Sequence, residues 1–433
     1  MNQAVFAKGR AGLVLMGVLF FARGASVALG DDFPAYQHDP QRTGLSTSPL
    51  DATTLTTTWT SPGFQEPLIV GNSVFGISST QLASFNIATG QINWSTALSA
   101  RSLPGSPIAY GGGMLVQSFD GGNNSIVTPF LQVYDASSGA AKYSVAVPEG
   151  PGEPITVAVD TTTNQQVAYV ADGRGSCTAV RLGATSGTIL WTANGLLAGL
   201  APSSVIGNYL ILANFDHYYA INRTTGAVNQ FVNGPTDGGL AYTPVVDASR
   251  NQFYIRAGGT LTAYGVNGSA INQLWQKSGA GIPAGIGAGG AVALDANGDI
   301  YSTDTSTLVK IDPSTGSTLA SASGTFSKDT TPIISSNYLW DVAPGRFGIL
   351  DEALVAYNLS NLQQAAEYTE QPNVAASTYT GASAIDDTHF VFDEGNVGGR
   401  SFIVSTGSAV PEPVSLAFIL SSGLLLMRRR NPK

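Results

Sequence analysis

The chain has 433 residues, of which 43% are hydrophobic and only 11% charged, and its formal net charge is −9. All 29 acidic residues lie between Asp31 and Glu412, whereas three of the 20 basic ones precede Asp31 and four follow Glu412. The body therefore sets 13 basic against 29 acidic residues, a net charge of −16, and a surface of that sign excludes nucleic acid as a partner.

Lys8 and Arg10 make a basic start, and "AGLVLMGVLFFA" (Ala11 to Ala22) is an apolar run of signal-peptide length. Small residues follow in "GASVALG", so residues 1–30 read as a secretory signal cleaved after Ala28 or Gly30. A lead-in segment occupies 31–53. "TTLTTTWTSPG" then forms an aromatic strand that no turn precedes.

From here to Gly407 the chain is a repeat. "LASFNIATGQINW" (Leu82 to Trp94) has relatives in "LQVYDASSGAAKY" and in "TAVRLGATSGTILW". "YYAINRTTGAVNQF", "LTAYGVNGSAINQLW", "LVKIDPSTGSTLA" and "LVAYNLSNLQQAAEY" continue the series. The turn residues are Gly90, Gly139, Gly187, Gly226, Gly268, Gly316 and Asn361, and one more period lands on Gly407 in "SFIVSTG". In each unit a half-buried strand precedes Asn86, Asp135, Asn222 or Asp312, whose side chain accepts from the turn backbone. Four residues on, a glycine supplies the positive φ that closes the hairpin. Aromatic residues follow, at Trp94, Tyr143, Trp191 and Trp275.

Between the hairpins lie strand pairs such as "GSPIAYGGGMLVQSF" and "AVALDANGDIYSTD". Four strands in roughly 45 residues is the size of a propeller blade. The reading is an all-β propeller of eight four-stranded antiparallel blades over 54–407, or seven if the ends do not pair. Joining Thr54–Thr58 and Trp59 to the sheet that ends at Thr406 completes the eighth blade and hides its edge. The units resemble the repeats of PQQ-type propellers, shared by quinoprotein dehydrogenases and an outer-membrane assembly lipoprotein family. "PAYQHDPQRTGLSTSP" (Pro34 to Pro49) resembles the segment that leads into many of them.

That resemblance raises quinone-dependent catalysis as an alternative. The single cysteine, Cys177, cannot form the adjacent-cysteine disulfide frequent in the enzymes, and in a strand-like run it reads as a small buried hydrophobe. His38, His217 and His389 share no metal-ligand spacing. "DANGD" (Asp295 to Asp299) and "FDGGNNS" (Phe119 to Ser125) carry oxygen side chains but not the ligand pattern of a calcium loop, so both read as β-turns. "GAGIPAGIGAGG" (Gly279 to Gly290) lacks the Lys-Ser/Thr ending of a phosphate cradle and reads as a strand connection. No catalytic, cofactor or metal residue is assigned, and no cofactor is expected.

The chain ends in "VPEPVSLAFILSSGLLLMRRRNPK". Val410, Pro411, Glu412 and Pro413 form an extended motif with two amide donors missing. The apolar run that follows, Val414 to Met427, is short for a membrane span, and Arg428, Arg429 and Arg430 close it. These three parts resemble the PEP-CTERM sorting signal of Gram-negative bacteria, over 408–433. The resemblance implies a short membrane helix, processing by an exosortase-type protease, and delivery to the cell surface or extracellular matrix. The expected function is that of an exported, non-catalytic binding or scaffold propeller whose partner is a surface polysaccharide or protein.

Overall fold

The structure is a computed structural model that describes residues 32–408, apart from 36–37, 99–107, 120–128, 149–154, 172–174, 197–201, 215–216, 234–242, 269, 283–290, 327–330, 344–352, 370–382 and 397–398. It contains eight four-stranded antiparallel sheets. The first consists of Gln65–Val70, Ser73–Ile77, Gln81–Asn86 and Ile92–Ala97, and six more repeat that order over 109–146, 156–194, 204–233, 245–278, 293–323 and 333–369. The first strand of a blade is largely buried and the fourth alternates exposed and half-buried positions, so the chain runs from the hub outward in each blade.

The eighth blade is composite. Ser383–Ile385, His389–Asn396 and Gly399–Thr406 supply three strands, and Thr56–Pro62 supplies the outer one. Thr56 pairs with Thr406 and Trp59 with Val404, with a bulge between Thr57 and Trp59. This pairing of the two ends of the body closes the ring and covers an edge that would otherwise template association.

The core lies between blades. Leu68, Phe75 and Leu82 of blade 1 pack on Ile108, Leu115 and Tyr134 of blade 2, and similar layers recur round the ring. At the closure one cluster joins blades 7, 8 and 1 with Phe33 and Leu50 of the lead-in.

Indole rings lock four of the junctions. The Trp59 ring lies over Gly90 (φ +69°), where an added Cβ would meet it at 2.7 Å, and its Nε1 donates to the Ile87 carbonyl at 2.7 Å. Trp94 sits likewise on Gly139 and donates to Ala136 O at 3.0 Å. Trp191 covers Gly226 and donates to Arg223 O at 2.7 Å, and Trp275 covers Gly316 and donates to Pro313 O at 2.8 Å. In these turns the Asx side chain accepts from the next backbone amides, as Asn86 Oδ1 does from Ala88 and Thr89 at 3.1 and 3.0 Å.

Four turn positions depart from the expected pattern. Gly187 is the first residue of a strand (Gly187–Asn194) paired with Leu182, and the turn is Gly183–Ser186, whose Gly183 carbonyl accepts from Tyr143 OH at 2.8 Å. Gly183 stands where Asn86, Asp135, Asn222 and Asp312 stand in other blades, so no Asx side chain holds this turn, and its amide donates to Ser186 O at 3.0 Å. In blade 7 the left-handed residue is Leu362 (φ +56°) rather than Asn361, and its amide closes the turn on Asn358 O at 2.8 Å. Gly268 belongs to a tight hairpin in which Asn267 pairs with Ala270, and nothing lies within 4 Å of where its Cβ would be. Gly407 begins no hairpin: it follows Thr406, and its amide donates to Thr388 O at 2.9 Å. The expected sorting signal, from Val410 to Arg430, lies outside the described residues.

Candidate functional site

Polar side chains gather at the hub, on the face that carries the Asx turns, and at the opposite ends of the second and third strands, where Arg256 Nη1 donates to Thr303 O at 3.2 Å. At the hub the lead-in meets the inner strands nearly in order. Phe33 exchanges backbone bonds with Ile69 of blade 1 at 2.7 and 3.1 Å, and Pro34 O accepts from Tyr110 of blade 2 at 2.9 Å. Pro40, Gln41, Thr43 and Gly44 carbonyls accept from Val205, Val246, Leu294 and Ile334 of blades 4 to 7, at 2.8, 2.9, 3.0 and 2.7 Å. Ser48 Oγ donates to the Asp386 carbonyl of blade 8.

Blade 3 is reached by a side chain. Arg42, fully buried and at φ +59°, donates to Ile155 O at 3.1 Å and Thr156 Oγ1 at 2.9 Å, and also to Ser203 O at 3.3 Å. Thr156 and Ser203 bond each other at 2.8 Å. A guanidinium taken out of water needs such acceptors, since leaving them unmade would cost several kcal/mol. The sequence reading passed over Arg42 inside the lead-in. Its signal was the scarcity of cations in a strongly acidic body.

On the turn face, arginines bridge blades. Arg223 of blade 4 donates to Val159 O at 2.8 Å and Tyr169 OH at 2.9 Å in blade 3. Arg250 of blade 5 pairs with Asp247 at 2.6 Å and donates to Asn297 O of blade 6 at 2.8 Å. "DANGD" is a turn in which Asp295 Oδ1 accepts from the Asn297 and Asp299 amides, both at 2.9 Å. Asp295 Oδ2 receives Tyr301 OH at 3.1 Å and Lys310 Nζ at 3.3 Å, and Lys310 reaches Asp299 at 2.9 Å. Burial alone would lower the Lys310 pKa, but bonds to Tyr301 and Asp299 and the Asp295 charge hold it above the ordinary lysine value. Burial pushes the Tyr301 hydroxyl up to about 12.

Beside this cluster a cleft of about 740 Å³ opens between blades 6 and 7. Leu45, Ser46 and Thr47 of the lead-in, Asn297 and Lys310 of blade 6, and Ser335 to Tyr338 with Asn358 to Ser360 of blade 7 line it.

The other sequence candidates stay apart. His38 lies in the lead-in, His217 begins the third strand of blade 4, and His389 begins the second strand of blade 8, with Nδ1 at 3.1 Å from both Asp386 oxygens. Among the described residues no three His, Cys, Asp or Glu side chains group as a metal site. Cys177 is fully buried in blade 3, facing Ala171 and Ala193 on its neighbouring strands. Of "FDGGNNS" only Phe119 is described, and of "GAGIPAGIGAGG" only Gly279 to Ile282, where the Gly281 amide donates to Asp304 at 2.7 Å.

This architecture matches a family described as outer membrane protein assembly factor BamB, over residues 42–183 and 178–339. The chain belongs to that family. No curated protein matches the chain. Among solved structures it is similar to BamB from Moraxella catarrhalis, at 14% identity and a TM-score of 0.58, with 81% of this chain and 99% of that one covered. A europium-containing methanol dehydrogenase aligns with a TM-score of 0.63 at 9% identity, over 87% and 98% of the two chains. The computationally designed Ika8 protein aligns at 0.57 and 14% identity, over 82% and 98%. At such identities the likeness is one of fold, reached by a non-enzyme, an enzyme and a design alike. Among the described residues, no helix is long and apolar enough to cross a membrane.

A divalent cation of the calcium type takes six to eight oxygen ligands. Four of the turn carboxylates are already engaged and do not fit one. Asp295 and Asp299 are bridged by Lys310, Asp247 is held by Arg250, and Asp386 is taken up by the Thr388 and His389 amides at 2.7 Å each.

Proposed function

We propose that this propeller is an exported, non-catalytic binding or scaffold module of the cell surface or extracellular matrix, delivered by processing of its C-terminal PEP-CTERM-like tail. The observation that supports the non-catalytic part is the use of the hub. Arg42, Thr156, Ser203 and Ser48, polar groups at the hub, are spent on holding the lead-in. The tail supports the route. The prolines of "VPEP" disfavour helix, the apolar run is too short for a comfortable permanent span, and the arginines favour the cytoplasmic side during transit.

Thermal unfolding of the purified body tests the first part. Pyrroloquinoline quinone with Ca²⁺ is expected to leave the melting temperature unchanged. A ligand of the native state at a hundredfold excess over its Kd would add about 2.7 kcal/mol. A rise of that order would replace this reading with the alternative, a quinone- or metal-dependent surface enzyme. Mass spectrometry of the surface-localised protein tests the second part: the mature chain is expected to lack Arg428 to Lys433, and an intact Lys433 would make the tail an anchor.

A further inference from the structure

The blade junctions are not equivalent on the turn face. Between blades 3 and 4 Arg223 crosses the gap, and between blades 5 and 6 Arg250 does so. Between blades 6 and 7 Leu359 stands where Arg223 does in blade 4, the turns beside it carry the short Ser335, Ser336 and Ser360, and the 740 Å³ cleft lies there. That volume falls within the range of small-molecule sites.

Its chemistry narrows the class of occupant. Lys310 is answered by Asp295 and Asp299, so the charged wall carries a small net negative charge within an acidic body. An anion would be repelled, and an incoming cation would compete with an ammonium already held by two carboxylates. What remains outward is amide and hydroxyl. Asn297, Ser336, Asn337 and Ser360 are exposed at the rim; the Ser336 and Ser360 hydroxyls donate to Thr47 O and Asn358 Oδ1 at 2.7 Å each and keep the capacity to accept, while the two amides both donate and accept, as sugar hydroxyls do. Half-buried Leu45 and Leu359 add apolar walls suited to the C–H face of a pyranose.

We propose that this cleft binds a neutral polyhydroxylated ligand, a mono- or short oligosaccharide, held between the lead-in and blades 6 and 7. The proposal rests on the binding-module reading above and gives it a ligand class. Because the ligand would touch the lead-in and two blades at once, it should also stabilise the ring.

The test uses the full chain and a panel of neutral trisaccharides of glucose, galactose and mannose, with an oligogalacturonate as the anionic control. Thermal shift and saturation-transfer NMR read binding. At least one neutral trisaccharide is expected to raise the melting temperature, and the anion is not. Asn337→Trp, which fills the cleft from an exposed position, should abolish the effect, and Asn297→Ala should weaken binding about tenfold. The unliganded melting temperature of each variant confirms that it folds. Binding that survives Asn337→Trp would place the sugar elsewhere and sink the proposal. Binding of the anion alone, or of no member of the panel, would also overturn it. Those failures leave the non-catalytic reading to its own quinone and Ca²⁺ test.

Discussion

The junction between blades 1 and 2 and the one between blades 6 and 7 solve the same problem differently. In the first, Trp94, eight residues past Asn86, lies on Gly139 and caps the Ala136 carbonyl. In the second, Ala320 stands eight residues past Asp312 and pairs with Lys310, as Trp94 pairs with Ser84. No ring arrives, and the left-handed position opposite holds Leu362, buried to 2% exposure beside Phe326 and Tyr357. A left-handed leucine costs roughly 1–2 kcal/mol, and burying its side chain returns about 1.5–3 kcal/mol, so the side chain wins where there is room. The turn glycine is thus a demand of the neighbouring blade for space as much as of its own backbone for φ.

The largest test of this comparison concerns the junction that also closes the ring. Deleting Thr54 to Pro62 removes the outer strand of blade 8 and the Trp59 lock on Ile87. It also strips the edge of Gly399–Thr406, so aggregation or a far lower unfolding temperature is expected in size-exclusion and melting experiments. A monomer of unchanged stability would mean that closure does not depend on that strand.

A sharper test exchanges the two solutions. Ala320→Trp alone should destabilise by about 1–3 kcal/mol, because Leu362 holds the space an indole needs. Leu362→Gly alone should cost about 1 kcal/mol, the lost burial less the left-handed strain it relieves. The double variant should recover part of the sum, with a coupling of about 1 kcal/mol or more in denaturant unfolding. Strict additivity would separate ring from turn residue and break the comparison.

Alkaline pH should distinguish the junctions least. Burial raises Tyr134 between blades 1 and 2, and Tyr301 between blades 6 and 7, to about 12 each. The folded values lie above the unfolded value of about 10, so this stabilisation is complete below pH ~10 and is lost as pH rises toward 12. Unfolding followed with tyrosinate absorbance is expected to show both sets ionising with the global transition. Early ionisation of half the signal would mark one junction as looser.

Much of the ring was legible because its signals are local and periodic. The Asx side chains at 86, 135, 222 and 312 and the glycines four residues later fix the turns, and the period fixes the number of blades. Trp59 betrayed the closing strand as an aromatic strand without a turn. Leu362 was missed because leucine has no sequence signature for the left-handed region; only the absent ring across the junction permits it. The lacing of the lead-in was illegible for another reason. Backbone carbonyls of Pro40, Gln41, Thr43 and Gly44 do the bonding, and a carbonyl looks the same in every residue. The cleft beside Lys310 depends on short side chains in three distant segments, which no single motif spans.

The lacing has a consequence in time. Residues 33–62 leave the ribosome before any blade exists, yet their partners extend to Thr406 and Ser408. The earliest part of the body to be made is therefore among the last to find its place, and its contacts have the longest sequence separation among the described residues. Loop closure on that scale is slow, and it leaves the growing chain without a finished ring until the Gly399–Thr406 strand has been made. On the export route proposed above, where a chain crosses a membrane unfolded, that delay would be an advantage: what cannot close early stays threadable.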